Sequence, residues 1–261
     1  DQHIAQIFPT INASRPLVAS GTRGDLQRGV LSFPKIRQRP VVAVQASEKT
    51  EAGNQKMIVD MESATASTYL GGGDLSWQAI NWSTPDALQL WFDLAAADYA
   101  LKTEQDAGEV IQSAGFANII GAPLGGAPTF ATLMTAVAAG LEEVYSNSGD
   151  MADTLYLSPD RAAFLFGLTS DVAAVFANSS LDFGNGTGNV SGLSVVISRG
   201  LDAGVMAVGV RRKLIVAETP SAPVELRVVE PAIGGVEVGI IGAFEAVVAE
   251  DEAFSLLTTA S

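Results

Sequence analysis

Two carboxy-terminal passages decide the fold: Leu201-Asp-Ala-Gly-Val-Met-Ala-Val-Gly-Val-Arg-Arg212 and Gly242-Ala-Phe-Glu-Ala-Val-Val-Ala-Glu-Asp-Glu-Ala-Phe254. Apolar residues recur in them at every second position, the period of strands with one face in a core. The same alternation predicts strands at Leu193–Ser198, Val205–Val210, Leu214–Glu218, Val224–Glu230, Val236–Ile241 and Phe244–Ala249. A long capped helix and a polar-tipped hairpin precede them, an order that is rare in enzymes.

The helix opens at Thr84-Pro85-Asp86: a threonine N-cap, a proline in the first turn and an acid near the positive dipole end. Leu88, Trp91, Ala95, Tyr99, Lys102, Val110, Ile111 and Ala114 follow at steps of three and four, and Gly115 stands at the C′ position. About thirty residues of helix would reach on the order of 45 Å, enough for a scaffold that crosses the molecule. Asp98, Lys102, Glu104, Asp106 and Glu109 read as its solvated face. After the Gly121–Pro128 loop, Thr129 caps a second helix with an apolar stripe of Phe130, Leu133, Met134, Val137, Leu141, Val144 and Tyr145, read as core. Met151–Leu157 reads as a short strand, and Ser158-Pro159-Asp160 opens a short helix through Phe164 and Leu165.

Upstream, residues 40–63 read as a β-hairpin. Val42 and Val44 alternate on one arm, Met57, Val59 and Met61 on the other, and Gly53-Asn54 sits at a charged tip. An isolated two-stranded ribbon is marginal in water, so it needs something to lie on. Residues 1–29 carry scattered apolar residues, among them Leu17 and Val18, without a sustained period. Such a segment is either frayed or laid over another surface, and its apolar content favours the second. Gly71-Gly-Gly-Asp-Leu-Ser-Trp77 lacks the lysine and spacing of a phosphate cradle and reads as a flexible junction. Residues 176–192 are too rich in Gly, Asn and Ser for regular structure and read as a protruding loop. Asp182 and its neighbours do not match an EF-hand spacing, so no metal is assigned there.

The chain has 261 residues, enough for one large domain or two intertwined ones. No apolar stretch approaches the roughly 20 residues that span a bilayer, and no membrane association is expected. The chain begins at Asp1, which suggests a trimmed or processed product. Cysteine is absent, which excludes disulfides and thiolate metal sites. The sequons at Asn12, Asn81, Asn178, Asn185 and Asn189 read as chance matches. With a net charge of −14, sequence-specific DNA binding is not expected, although an acidic protein can still enclose DNA. Arg211-Arg212-Lys213 and the looser Lys35, Arg37, Arg39 group read as solvated strand ends.

An enzyme needs a convergent site, and none is visible. The single histidine, His3, lies in the peripheral amino-terminal segment; Gly-x-Ser-x-Gly and any Cys nucleophile are absent. No catalytic, cofactor-binding or metal residue is assigned, and no cofactor is expected.

Taken in order, these parts resemble the major capsid protein of tailed phages. Met151-Ala-Asp-Thr-Leu-Tyr-Leu-Ser-Pro-Asp-Arg-Ala-Ala-Phe164 resembles that family's strand, (Ser/Asn)-Pro, short-helix passage. Gly192-Leu-Ser-Val-Val-Ile-Ser-Arg199 with Ala203-Gly-Val-Met-Ala-Val-Gly209 resembles its "G-x-P-V-V-x-S … G-x-x-x-V-G" passage, with Leu193-Ser194 replacing a small residue and Pro. The resemblance implies an α+β, HK97-type fold: an N-terminal arm (1–29), an E-loop hairpin region (30–76), a peripheral domain with a spine helix (77–124 and 213–261) and an α/β axial domain (125–212). It implies self-assembly through pentamers and hexamers into an icosahedral virion shell around packaged double-stranded DNA. Assembly would take place in the host cytoplasm, with portal, scaffold or decoration proteins as further partners. Asp1 would fit removal of an amino-terminal scaffolding segment by a phage protease. Some relatives join a hairpin Lys to a neighbour's carboxy-terminal Asn. Lys49 and Lys56 are possible donors, but the last Asn is Asn189, which implies a shell without covalent cross-links. An encapsulin-like compartment, a tail-tube or decoration protein, and an enzyme are the alternatives.

Overall fold

A computed structural model describes residues 15–259 except 52, 54, 84–85, 116–118, 123–129, 168–179, 183–185, 191 and 232–233. Its longest strand, β14 (Gly235–Val248), runs without a break through Gly242, where the sequence suggested two strands. That glycine marks a close approach: a Cβ there would lie 2.7 Å from the Tyr99 hydroxyl. On one edge β14 pairs with β12 (Leu214–Glu218) and β13 (Val224–Glu230), on the other with β5 (Ser67–Ser76). A short β1 (Thr22–Arg23) adds to β12 and completes a five-stranded sheet.

β5 contains the triple glycine, so the passage read as a flexible junction is a ten-residue strand. The missing side chains admit a neighbour: a Cβ on Gly73 would lie 2.7 Å from Trp91 Nε1 of the long helix above it. Strand propensity hides this, because the strand is specified by what packs on it. Ser76 then caps helix α2 (Trp77–Trp82), its side chain accepting the Ala79 N–H.

The long helix α3 is Ala87–Gly115, 29 residues. Thr84 and Pro85 lie outside the described residues; the observed cap is Asp86, whose carboxylate accepts the Leu88 N–H at 2.9 Å. Phe92 and Tyr99, in its first half, pack on Val238 and Ile240 of the five-stranded sheet. Ile111 and Ala114, in its second half, enter the main core. That core is shared with α4 (Phe130–Ser148) and a seven-stranded sheet. Leu133, Val137 and Val144 of α4 are buried as expected, whereas Tyr145 projects outward.

The seven-stranded sheet has the order β6 (Ile119–Ala122), β15 (Phe254–Thr259), β11 (Met206–Gly209), β7 (Thr154–Leu157), β10 (Leu193–Ile197), β9 (Thr187–Val190), β8 (Ser180–Asp182). Helix α5 (Pro159–Gly167) follows β7 as the Ser-Pro-Asp signal predicted. Two expectations change here. The described residues of the Gly/Asn-rich stretch include the β8–β9 hairpin on the sheet edge, where backbone pairing outweighs poor propensity. In addition, β15 pairs with β11 and β6, so the expected 213–261 segment is divided between the two sheets.

The amino-terminal segment is also corrected. From Arg15 onward it is built into its own subunit: helix α1 (Pro16–Ser20) buries Leu17 and Val18 completely in the main core. Residues 1–14 lie outside the described residues. The hairpin is shifted as well. Its paired arms are β3 (Val30–Gln38) and β4 (Ile58–Thr65), and the predicted outgoing arm at 40–47 retains only the Val41–Gln55 bridge. β2 (Leu26–Gln27) pairs with the start of β3. Pro34 is tolerated within β3 because β2 reaches only Val30 and Leu31 and leaves the rest of that edge open. Leu31 and Phe33 root the ribbon against Ala217, Ile215, Val247 and Ala249.

Candidate assembly surfaces

Beyond its root and the ion pairs at its base, the ribbon's apolar side chains are uncovered among the described residues. Val42 and Val44 are 97% and 95% exposed, and Val41, Met57, Ile58, Val59 and Met61 are also open to solvent. Burying one such side chain is worth roughly 1.5–3 kcal/mol, so the ribbon holds a large free-energy gain that the isolated subunit does not collect. Its tip is ordered by a turn in which Thr50 N–H donates to the Ser47 carbonyl at 3.1 Å.

The basic group at the end of β3 and just beyond it fixes how the ribbon leaves the body. Lys35 pairs with Glu62 (3.6 Å) and Asp251 (3.7 Å), Arg37 with Asp60 (3.3 Å) and Glu62, and Arg39 with Glu250. Glu250 also meets Lys213 at 2.6 Å, and Arg212 and Lys213 both reach Asp150. Five of the six basic side chains in the two clusters are therefore paired with acids; Arg211 has no ion pair among the described residues. The Arg212 hydrogen bond holds the Asp150 carboxyl below its ordinary range.

The second open surface lies on the five-stranded sheet. One face of β5–β14–β13 carries α3; on the opposite face cross-strand register sets out rows of side chains. Leu70, Ile241 and Val224 form one row, Gly72, Gly239 and Leu226 the next, and Asp74, Glu237 and Val228 the third. Leu70 is 72% exposed, and Val224, Leu226 and Val228 are open as well. On the helix side, Trp82 is 74% exposed and stacks edge-on with Trp77, and Leu90 and Leu94 are exposed on α3.

The acids of α3 do not form one wet face. Glu104 is fully buried, contrary to the sequence reading. It accepts the Leu17 N–H at 2.9 Å, the Val18 N–H at 3.2 Å and a short bond from the Ser198 hydroxyl. Burial raises its pKa, against the lowering effect of those bonds. Asp106 accepts a short bond from Tyr69, while Asp98, Lys102 and Glu109 face solvent. Sequence reasoning also missed Arg15 and Glu218, a buried pair at 3.0 Å whose carboxylate accepts the Tyr99 hydroxyl at 2.8 Å. Gly108, in mid-helix, was the available signal for the Glu104 joint: Gly200 packs against the helix there.

Lys49 and Lys56 are exposed on the ribbon, whereas Asn189 lies in β9 with its side chain accepting the Gly192 N–H at 3.2 Å. His3 and the Gly53-Asn54 turn's Asn54 lie outside the described residues, and of Asp182 the backbone alone is described. Among the described residues no group of three or more His, Asp or Glu is placed to hold a metal ion, and no helix is long and apolar enough to cross a membrane. The geometry thus offers surfaces for contact, with its buried carboxylates occupied in joining elements.

No curated protein sequence matches the chain. Solved structures of similar fold include one from Mycobacterium phage Adephagia (TM-score 0.72, 12% identity, 95% of this chain and 91% of that one). The capsid of a native GTA particle matches with TM-score 0.67 at 14% identity, over 96% of this chain and 91% of that one. A virus-like particle from Pyrococcus furiosus matches with TM-score 0.65 at 14% identity, over 96% and 95%. The architecture is thus the α+β, HK97-type capsid fold. A family model described as phage capsid protein covers residues 61–255, and with most of the chain inside that match, this polypeptide belongs to the phage capsid protein family.

Proposed function

We propose that this capsid shell protein assembles through pentamers and hexamers into an icosahedral shell enclosing packaged double-stranded DNA, without covalent cross-links between subunits. The observation that carries this reading is the ribbon, rooted by Leu31 and Phe33, whose described apolar side chains Ile36, Val41, Val42, Val44, Met57, Ile58, Val59 and Met61 are all exposed. A monomer that leaves this much apolar surface in water gains by association with copies of itself, and heterologous contacts of that kind close rings. The five-stranded sheet with α3 serves as the peripheral domain and the seven-stranded sheet as the axial domain, with β15 assigned to the latter. The ribbon built on β3 and β4 supplies the E-loop.

The absence of Asn beyond Asn189 supports a non-covalent shell. The acidic net charge favours enclosure of DNA over tight binding to it. Assembly in the host cytoplasm, with portal, scaffold or decoration proteins as partners, follows from the same reading. Expression of the chain followed by electron microscopy tests it: closed icosahedral particles that run as monomers in SDS are expected. A chain that stays monomeric at high concentration overturns the proposal, and SDS-resistant ladders overturn its non-covalent part. The likeness to a virus-like particle keeps a second reading, a protein-filled compartment, which nuclease-protected DNA in native particles would exclude.

A further inference from the structure

We infer that α3 carries, on the side turned away from its sheet, a docking seam for an amphipathic helix with basic flanks that belongs to a protein other than this chain. The inference goes beyond shell formation and does not depend on it.

The seam is built into the helix. At about 100° per residue, Leu88, Phe92, Ala95 and Tyr99 share the side that packs on Val238 and Ile240. Leu90, Leu94, Ala97 and Leu101 fall on the opposite side, at steps of four, three and four. That spacing is the a/d stripe of a coiled coil. Leu94 is 63% and Leu90 44% exposed, Ala97 is open to solvent and Leu101 is half-buried. A surface helix needs one apolar stripe to join its own core, so a second, on the far side, marks a second contact. Helix α2 touches α3 and adds the exposed Trp82 just before α3 begins, a residue type that anchors interfaces.

Charge selects the occupant. Asp93 and Asp98 stand at the g and e positions flanking the stripe, where opposite charge chooses a partner helix. Neither has an ion pair among the described residues. Lys102, the one base on α3, lies beyond Asp98 and outside the stripe. No described helix of this chain can answer these acids. α1, α2 and α4 carry no Lys or Arg, and α5 carries Arg161 alone, which donates to the Gly204 carbonyl at 3.0 Å. Two copies joined stripe to stripe would set Asp93 and Asp98 against the same acids. The ribbon fits no better, because an extended strand takes its backbone bonds from a strand edge and a helix has none free along its length. A foreign helix laid in the seam buries its apolar stripe on Leu90, Leu94 and Leu101 and meets both acids with its flanking bases.

The probe is a synthetic amphipathic peptide of about 20 residues with Leu at a and d and Lys at e and g; its control carries Glu at e and g. Fluorescence anisotropy of each labelled peptide is read against the full chain as free subunits. The basic peptide should bind saturably and the acidic one at least about tenfold more weakly, with the gap closing as salt rises. Leu90→Ser with Leu94→Ser should weaken the basic peptide at least about tenfold, whereas Met151→Ser, also exposed but outside α3, should leave it unchanged. Asp93→Lys with Asp98→Lys should reverse the preference, so that the acidic peptide binds better. Circular dichroism of each variant checks that the fold is kept. Absence of saturable binding, equal binding of the two peptides, or an unreversed preference in the lysine variant overturns the seam. Loss of closed particles in Leu90→Ser with Leu94→Ser, with no second protein present, overturns it too, since another copy of this chain would then cover the stripe. The binding readouts need no shells, so a chain that forms none fails the shell reading and leaves the seam to be judged on its own.

Discussion

Glu104 Oε1 accepts the backbone N–H of Leu17 at 2.9 Å, joining residues 87 positions apart. The same carboxylate takes the Val18 N–H and the Ser198 hydroxyl, so one buried side chain joins α1, α3 and the loop after β10. Glu104→Ala would strand three buried donors and open a cavity. A loss of about 3 kcal/mol or more is expected in urea unfolding of dissociated subunits. Amide exchange at Leu17 and Val18 should accelerate first; unchanged exchange would show that α1 is held by packing alone.

The pH dependence of that joint has a definite sign. Burial lifts the Glu104 carboxyl above its ordinary 4.5. A group raised on folding favours the folded state fully below its unfolded value, and this contribution is lost as pH rises through the folded value. The native chain should therefore lose stability relative to Glu104→Gln as pH climbs above 4.5. Asp150 runs the other way. Its carboxyl, lowered by the Arg212 hydrogen bond, contributes above its ordinary 3.8 and loses that contribution as pH falls further. Urea titrations of the native chain, Glu104→Gln and Asp150→Asn over roughly pH 3 to 8 separate the two arms. Parallel curves would contradict both assignments.

Gly108 and Gly200 let the same loop lie directly on α3. A Cβ on Gly108 would fall 1.9 Å from the Gly200 carbonyl oxygen, a backbone atom that no side-chain rotation relieves. Gly108→Ala, favourable for an isolated helix, should here cost about 3 kcal/mol or abolish folding. Gly72→Ala, on the open face of β5, where a Cβ would meet nothing nearer than the Val238 carbonyl at 3.8 Å, should be nearly neutral. Thermal melts of the two variants measure the contrast.

At the ribbon base the ion pairs are exposed, and their role is orientation. Arg39→Ala removes the contact with Glu250, whose other partner Lys213 remains at 2.6 Å. Global stability should drop by less than about 1 kcal/mol. Hydrogen exchange in β3 and β4 should nevertheless rise, and rise further with added salt. A salt-independent exchange pattern would show that the apolar root alone holds the ribbon.

The contrast between these joints explains what the sequence could and could not convey. α3, α4, the β7–α5 passage and most carboxy-terminal strands were legible because each carries its own period, although the predicted caps Thr84 and Thr129 lie outside the described residues. Glu104 was not: a carboxylate among Asp98, Lys102, Asp106 and Glu109 looks solvated until a distant segment covers it. Gly71-Gly-Gly was not legible either, because its strand character comes from β14 on one side and Trp91 above. The ribbon's exposed apolar residues were readable, but its register was not. Pro34, Lys35 and Arg37 interrupt the apolar alternation of β3, and pairing with Ile58–Thr65 overrides them. For the candidate surfaces, the ribbon was visible in sequence, whereas the bare face depends on cross-strand register and needed the structure.

Arg15 and Glu218 give the last prediction. The Arg15 side chain is 7% exposed, lies 3.0 Å from Glu218, and sits over the rings of Tyr99 (5.8 Å) and Phe244 (5.6 Å). Glu218 also accepts the Tyr99 hydroxyl and has Arg23 at 3.7 Å. Glu218→Leu leaves a buried guanidinium without its anion and should cost about 3–5 kcal/mol. Arg15→Met should cost less, because Glu218 keeps Tyr99 and Arg23. The double change removes both charges from an apolar setting and should recover much of the loss, giving a coupling above about 1.5 kcal/mol in a double-mutant cycle. Additive losses would mean that Arg15 is held by the two rings and not by the carboxylate.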